Sequence, residues 1–241
     1  MQEKRAALIS HAVTKGLDPS VKMKDSGVEW LGMVPERWEI VAVKRDYEIQ
    51  LGKMLQNAPE SDDDVHVPYL RAIHVQWGKV DSTDPPEMWA SPYEISQYGI
   101  TSGDLLVCEG GEGGRSCVVE SIPNNCIIQN ALHRVRPRKN ANLVFLQYIM
   151  YNVSSSNWFD VICNKATITH FTQEKFNELK IALPPNNEQQ IIANFLDTEI
   201  TKIDNLTGMI KGSMDKLREY RSALISAAVT GKIDVRQEAK A

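Results

Sequence analysis

Two hydrophobic rhythms run along this chain. From Glu188 onward, apolar residues recur every seven positions at Leu196, Ile203, Ile210, Leu217 and Leu224. Ile192, Leu206, Tyr220 and Ala227 fill most of the intervening seam, with Glu199 and Ser213 as breaks. Heptads sustained this long predict a coiled-coil-forming helix. Pro184-Pro185 cannot sit inside it and set its upstream limit. As one element, residues 188–230 would reach roughly 65 Å at 1.5 Å per residue. That exceeds the domain the helix leaves, so its seam is expected to bury itself against another helix, with Gly208 and Gly212 as local weak points.

Upstream the apolar runs are short. Segments 39–43, 67–73, 104–107, 117–119 and 130–135, bounded by Gly, Pro, Asn and Asp, predict strands. Segments 142–155 and 172–179 predict helices. Phe145, Ile149 and Val153 fall on one face of the first. Thr172 opens the second, with Glu174 where the helix dipole favours an acid. Residues 19–38 read as an irregular lead-in pinned by Trp30 and Trp38. The expected fold class is α+β: a mixed α/β domain followed by one long coiled-coil-forming helix.

A repeat frames the whole. Arg5-Ala-Ala-Leu-Ile-Ser-His-Ala-Val-Thr-Lys-Gly-Leu-Asp18 returns as Arg221-Ser-Ala-Leu-Ile-Ser-Ala-Ala-Val-Thr-Gly-Lys-Ile-Asp234, identical at nine of 14 positions at constant offset. Each copy reads as a helix end stopped by glycine, so the chain resembles one unit of a tandem array. The composition fits a packed soluble domain, with 42% hydrophobic and 24% charged residues. No apolar run approaches the ~20 residues a bilayer span needs, and the N-terminus does not resemble a secretory signal. Cys108, Cys117, Cys126 and Cys163 lack metal-ligand spacing and read as reduced thiols of a cytoplasmic protein.

The net charge of −4 changes the picture only through its distribution. Residues 58–112 carry 2 basic and 11 acidic side chains, net −9, and residues 113–183 carry 8 and 4, net +4. The basic region could face phosphates. Arg134, Arg136, Arg138 and Lys139 alternate along and just past a predicted strand, so the three arginines would share a face. Lys165, Thr167, Thr169 and His170 put a cation, two hydroxyls and an imidazole in one short segment suited to phosphates and base edges. Gln129 and Asn130 could each contact adenine in bidentate fashion.

Catalytic signatures are missing. Glu109-Gly-Gly-Glu-Gly-Gly-Arg115 lacks the Lys-Ser/Thr that ends a phosphate-cradling loop, though its glycines allow close backbone approach and Arg115 can point from it. The histidines have no metal-ligand spacing, and neither double proline carries the context of an amino-methyltransferase motif. The expectation is a reader with no catalytic residue, no metal and no cofactor.

The order of motifs resembles type I restriction–modification specificity subunits. Ser26-Gly-Val-Glu-Trp-Leu-Gly followed by Val34-Pro-Glu-Arg-Trp38 is similar to the start of their target-recognition domains. Gly103-Asp-Leu-Leu-Val-Cys-Glu-Gly-Gly, with Gly114-Arg115, is similar to the strand and glycine loop in mid-domain. Leu183-Pro-Pro, then Glu188-Gln-Gln-Ile-Ile and Phe195-Leu-Asp197, resembles the signature that opens the conserved helix, and Arg221–Asp234 resembles its tail. In that family two recognition domains alternate with two antiparallel helices, each domain reads half of a split DNA target, and methyltransferase subunits docked on the assembly do the chemistry.

The resemblance implies residues 1–18 as the end of a preceding helix, 19–187 as the DNA-binding domain, 188–233 as the dimerisation, spacer and docking helix, and 234–241 as a tail. It implies double-stranded DNA, methyltransferase subunits and, through them, the restriction subunit as partners, and no membrane. With one domain and one helix, this chain resembles a half-subunit that would pair with a second copy as a homodimer. The rival expectation is an adaptor that dimerises without reading DNA. An enzyme with degenerate motifs is a further, weaker alternative.

Overall fold

Turn chemistry and caps cut the chain into short elements before one long one. The structure, a computed structural model, describes residues 2–110, 112–156 and 171–233. Helix α1 (Gln2–Lys15) is followed by β1 (Met23–Asp25), β2 (Met33–Pro35), β3 (Glu39–Ala42), β4 (Tyr47–Leu51) and β5 (Val65–Leu70). Then come β6 (Val75–Gln76), β7 (Lys79–Val80), β8 (Glu87–Ala90), α2 (Pro92–Tyr98), β9 (Leu105–Cys108), β10 (Ser116–Val118), β11 (Ile127–Ile128) and β12 (Leu132–Pro137). Helices α3 (Leu143–Ser155) and α4 (Gln173–Glu178), strand β13 (Lys180–Leu183) and helix α5 (Asn186–Val229) complete the order. The mixed α/β domain with one long C-terminal helix is thus present. Two compact units result, Ala6–Leu196 and, separately, Met1–Arg5 with Asp197–Ala241.

The main sheet has the order β10-β9-β12-β4, antiparallel throughout. All four residues of β9 and the first four of β12 are buried, as both faces of the sheet are covered. A second sheet, β11-β5-β8, pairs β11 parallel and β8 antiparallel to β5. Alternation along β5 and β11 feeds two cores. Leu70 and Ile128 join Leu106, Leu132 and Val75 in one, while Val67, Tyr69 and Ile127 pack with Met88 and Ala90 in the other. The expected strands at 39–43, 104–107 and 117–119 lie within a residue of β3, β9 and β10. The segment expected at 67–73 stops at Leu70, because Ala72–His74 forms a 3₁₀ turn.

The lead-in is not wholly irregular. β1 pairs antiparallel with β2, with Lys24 opposite Val34. Gly27 and Gly32, at φ of 68° and 59°, supply the left-handed backbone that closes this hairpin. Trp38 is fully buried edge-on to Phe145 at 6.4 Å, whereas Trp30 is only half-buried, so a single tryptophan is the anchor. Both expected mid-domain helices are capped as their sequences suggest. Asn142 Oδ1 accepts from Phe145 N at 2.8 Å, and Thr172 Oγ1 accepts from Lys175 N at 3.4 Å. Helix α2 was not expected. Its capping box joins Ser91 and Glu94, with Pro92 in the first turn.

Helix α5 runs unbroken for 44 residues. Its first turn is stitched to α3 by Gln189, whose side chain is fully buried. Gln189 Nε2 donates to Pro184 O at 2.8 Å, and its Oε1 accepts from Asn142 N at 3.0 Å. Ile192 and Leu196 are buried, but along the seam Leu206 is 46%, Ile210 45%, Leu217 67%, Tyr220 64% and Leu224 41% exposed.

His133 offers a direct test of this core. It is fully buried, and its Nε2 donates to Phe171 O at 2.8 Å. Burial pushes its pKa down to about 4. The unfolded chain, with an ordinary imidazole near 6.5, binds more protons between these values, so stability rises with pH across that window. Acidifying from pH 7 to 4 is expected to remove roughly 3 kcal/mol through this one group. Denaturant midpoints measured across that range should flatten in His133→Gln; an unaltered slope would reject a neutral buried imidazole.

Candidate nucleic-acid interface

Strand register sorts the candidate residues into two groups. Leu132 lies opposite Cys108 and His133 opposite Leu51, while Pro137 lies opposite Tyr47. The start of β12 therefore shares one end of the sheet with the glycine loop after β9 and the exit of β4. The finish of β12 shares the other end with the entry of β4. Those ends are separated by about 20 Å at 3.3 Å per residue. Arg115, Gln129 and Asn130 belong to the first, loop-bearing end; Arg138 and Lys139 belong to the second, where Arg138 N bonds Asp46 O at 2.7 Å.

The arginines of β12 do share a face, but their charge is turned inward. Arg134 is buried, with Nη1 donating to the carbonyls of Gln97 (3.1 Å) and Gly99. Arg136 forks onto Asp104, Nε to Oδ1 at 2.6 Å and Nη2 to Oδ2 at 2.8 Å. That paired geometry holds Arg136 above its ordinary value, whereas burial pulls Arg134 below it. Arg138 Nε donates to Tyr47 O at 3.2 Å, and Lys139 is exposed.

At the loop-bearing end four segments converge. β4 leaves through Gly52 and Lys53, where Gly52 N bonds Leu132 O at 3.0 Å and Lys53 N bonds Ile128 O at 2.8 Å. Asn130 N returns to Lys53 O at 2.9 Å, and the buried Lys53 ammonium pairs with Glu94. A Cβ on Gly52 would collide with the carbonyls of Ile128 and Gln129, so only glycine admits this crossing. Gln129 N bonds Leu70 O at 2.9 Å, which sets Gln129 beside Arg71 in the continuing parallel register.

The glycine loop is fastened on several sides. Arg115 Nη1 donates to Glu112 Oε2 at 3.2 Å and Nη2 to Ala72 O at 2.9 Å. Trp77 Nε1 donates to Glu112 Oε1 at 2.8 Å, and its ring meets Tyr151 edge-on at 5.0 Å. Ser154 Oγ donates to Gly113 O, and Phe171 N to Glu109 O. Arg71, Gln76 and Lys79 are exposed on this end and were passed over in the sequence. A signal existed: Arg71 and Lys79 are the two basic residues of the otherwise acidic 58–112 block. Lys165, Thr167, Thr169 and His170 lie outside the described residues. Among the described residues no group of three His, Cys, Asp or Glu is placed to hold a metal ion, and no helix is long and apolar enough to cross a membrane.

A family described as the type I restriction modification DNA specificity domain matches residues 88–212, just over half the chain. The EcoKI type I specificity subunit of Escherichia coli K12 is 29% identical over 212 residues, covering 84% of this chain and 44% of that protein. The MjaX counterpart, a putative one from Methanocaldococcus jannaschii, is 26% identical over 206 residues, covering 83% and 47%. The chain thus spans about half the length of the curated relatives it matches. Among solved structures, a chain from a study of complex assembly in a type I R-M system superposes with a TM-score of 0.66 at 19% identity, covering 94% of this chain and 52% of that one. The HsdS subunit of Thermoanaerobacter tengcongensis gives 0.62 at 17% identity, covering 96% and 51%. These two share the fold.

Two expectations follow from the geometry. Gly52→Ala should cost near the upper end of the roughly 1–3 kcal/mol of an overpacked site, read as a lower denaturant midpoint. Arg136→Ala should cost about 2 kcal/mol by unpairing Asp104, whereas Lys139→Ala should stay within about 0.5 kcal/mol of the parent. Equal midpoints for Arg136→Ala and Lys139→Ala would mean that the buried fork contributes nothing.

Proposed function

The chain belongs to the type I restriction modification DNA specificity domain family, and from that membership we propose that it is a non-catalytic, sequence-reading subunit for one half of a bipartite DNA target. Two copies would pair along α5 and present two such domains to one duplex. Identical domains in opposite orientations would read a symmetric split site. Methyltransferase subunits, and the restriction subunit through them, would dock on the pair and supply the chemistry. Domain limits of 19–187 for the reader and 188–233 for the helix are adopted in this reading, with residues 1–18 as a preceding helix end.

The observation that carries the pairing is the exposed seam. Leu206, Ile210, Leu217, Tyr220 and Leu224 form a heptad stripe between 41% and 67% exposed on a helix that is regular throughout. A lone helix face of this kind is stabilised by burial against a partner helix at roughly 25 cal/mol per Å² of apolar surface. The internal repeat agrees. Ile9, Ala12 and Val13 of the first copy are 1%, 1% and 2% exposed, whereas Ile225 and Val229 of the second are 53% and 82% exposed.

Light scattering should give a mass near twice 27.1 kDa, and Leu217→Glu or Ile210→Glu should return it to a monomer. With the cognate methyltransferase subunit present, duplex DNA binding should weaken steeply as salt rises. A dimer that survives both charged substitutions would reject this seam. Salt-independent or absent DNA binding would favour the adaptor reading instead.

A further inference from the structure

We infer that the reading edge of this domain is the segment from Arg71 to Lys79, and that Arg115, the cation its glycine loop offers, positions that edge instead of touching DNA. The inference rests on the DNA-reading function proposed above and names the residues that would carry it.

Both terminal nitrogens of Arg115 are already engaged. One terminal nitrogen holds Glu112, the other holds the Ala72 carbonyl, and its Nε is buried. With its side chain only 16% exposed and both terminal nitrogens turned onto these partners, the guanidinium is committed to the fold and not presented outward. What it does is join two loops. Ala72 O also accepts from the Cys108 thiol at 3.8 Å, and Glu112 is held from its other side by Trp77. The ring of Trp77 rests against Tyr151 of α3. The 3₁₀ turn and the β6–β7 hairpin are therefore tied to β9, the glycine loop and α3 as one piece.

On that piece the outward groups suit a DNA edge. Arg71 is exposed and, among the described residues, takes part in no ion pair. Its backbone is fixed on both sides, since Arg71 N donates to His74 Nδ1 at 3.1 Å and its carbonyl accepts from His74 N at 2.9 Å. Gln76 is exposed, and its Nε2 donates to Ile73 O at 3.1 Å, which limits the directions it can take. Ile73 is 65% exposed between them, an apolar group at the tip of a polar edge. Lys79 stands one residue past the Gly78 turn.

The acids of this stretch are held elsewhere. Asp81 accepts from the N–H and the hydroxyl of Thr83, and Glu112 is held by Trp77 and Arg115. Gln129 joins the edge beside Arg71 through the parallel register. Arginine matches the O6/N7 edge of guanine and glutamine the N6/N7 edge of adenine, while lysine suits a phosphate. A reader must hold such groups on rigid backbone, and here the clamp does so.

The test is selection from a pool of duplexes randomised across their centre, using the full chain with its methyltransferase subunit and sequencing the bound fraction. The parent protein is expected to enrich a defined half-site. Arg71→Ala and Gln76→Ala should each lose discrimination at one position, about 10- to 100-fold. Lys79→Ala should weaken all sequences alike and lower the salt slope by about one. Glu112→Gln, which loosens the clamp at the surface without disturbing the core, should broaden the half-site while leaving the denaturant midpoint in place. If the parent enriches a half-site and both Arg71→Ala and Gln76→Ala enrich the same one equally well, the edge is elsewhere and the inference fails alone. If the parent enriches nothing, the proposed function fails and takes the inference with it.

Discussion

The hydrogen-bonded register of β12 is the constraint on which the domain depends. This strand bonds β9 on one side and β4 on the other, so its start and finish decide which loops become neighbours. A slip of one residue would exchange the two buried faces of this strand, sending Leu132 and Arg134 to the side built for His133 and Val135 and the reverse. Arg134 and Arg136 guard against that slip. Each finds its acceptors, the Gly99 carbonyl and the Asp104 carboxylate, in one register only. The Gly52 crossing adds a steric condition, because β4 can leave the sheet against the Gln129 carbonyl only where no Cβ intrudes.

Much of this architecture was legible in the chain itself, and what was not has physical reasons. The long helix, the Pro-Pro boundary and the capped helices at Asn142 and Thr172 follow from periodicity and capping chemistry, which act locally. Strands β6, β7 and β11 are two residues long and carry too little pattern to be seen. The lead-in hairpin escaped notice because its turn is made by two glycines five positions apart in a stretch otherwise rich in turn residues. Charge was the least transferable signal. The basic count of residues 113–183 includes Arg134 and Arg136, whose partners lie in the acidic block before them, and no local pattern could reveal that pairing.

The helix presents the complementary case. Its heptads were plain, yet a heptad states only that a face is apolar and not what lies on it. Within one chain the seam is buried at Ile192 and Leu196 and exposed from Leu206 onward. The two copies of the repeat differ in the same way, Ile9 and Val13 being buried where Ile225 and Val229 are exposed.

The inward-turned arginines have a consequence for energetics. With Arg134 spent on backbone carbonyls and Arg136 paired with Asp104, two of the basic side chains of β12 are not available to displace counterions from a duplex. A single domain of this kind would hold DNA weakly, and its grip would rest on base-edge fit more than on attraction to the backbone. Weak, selective contacts become strong when two are tethered, because the second engages at the effective concentration set by the spacer. If two domains paired through α5, a regular helix of 44 residues would fix that concentration far more tightly than a disordered linker. The separation between half-sites would then be as stringent a criterion as the bases themselves, a selection by distance beside the one by sequence.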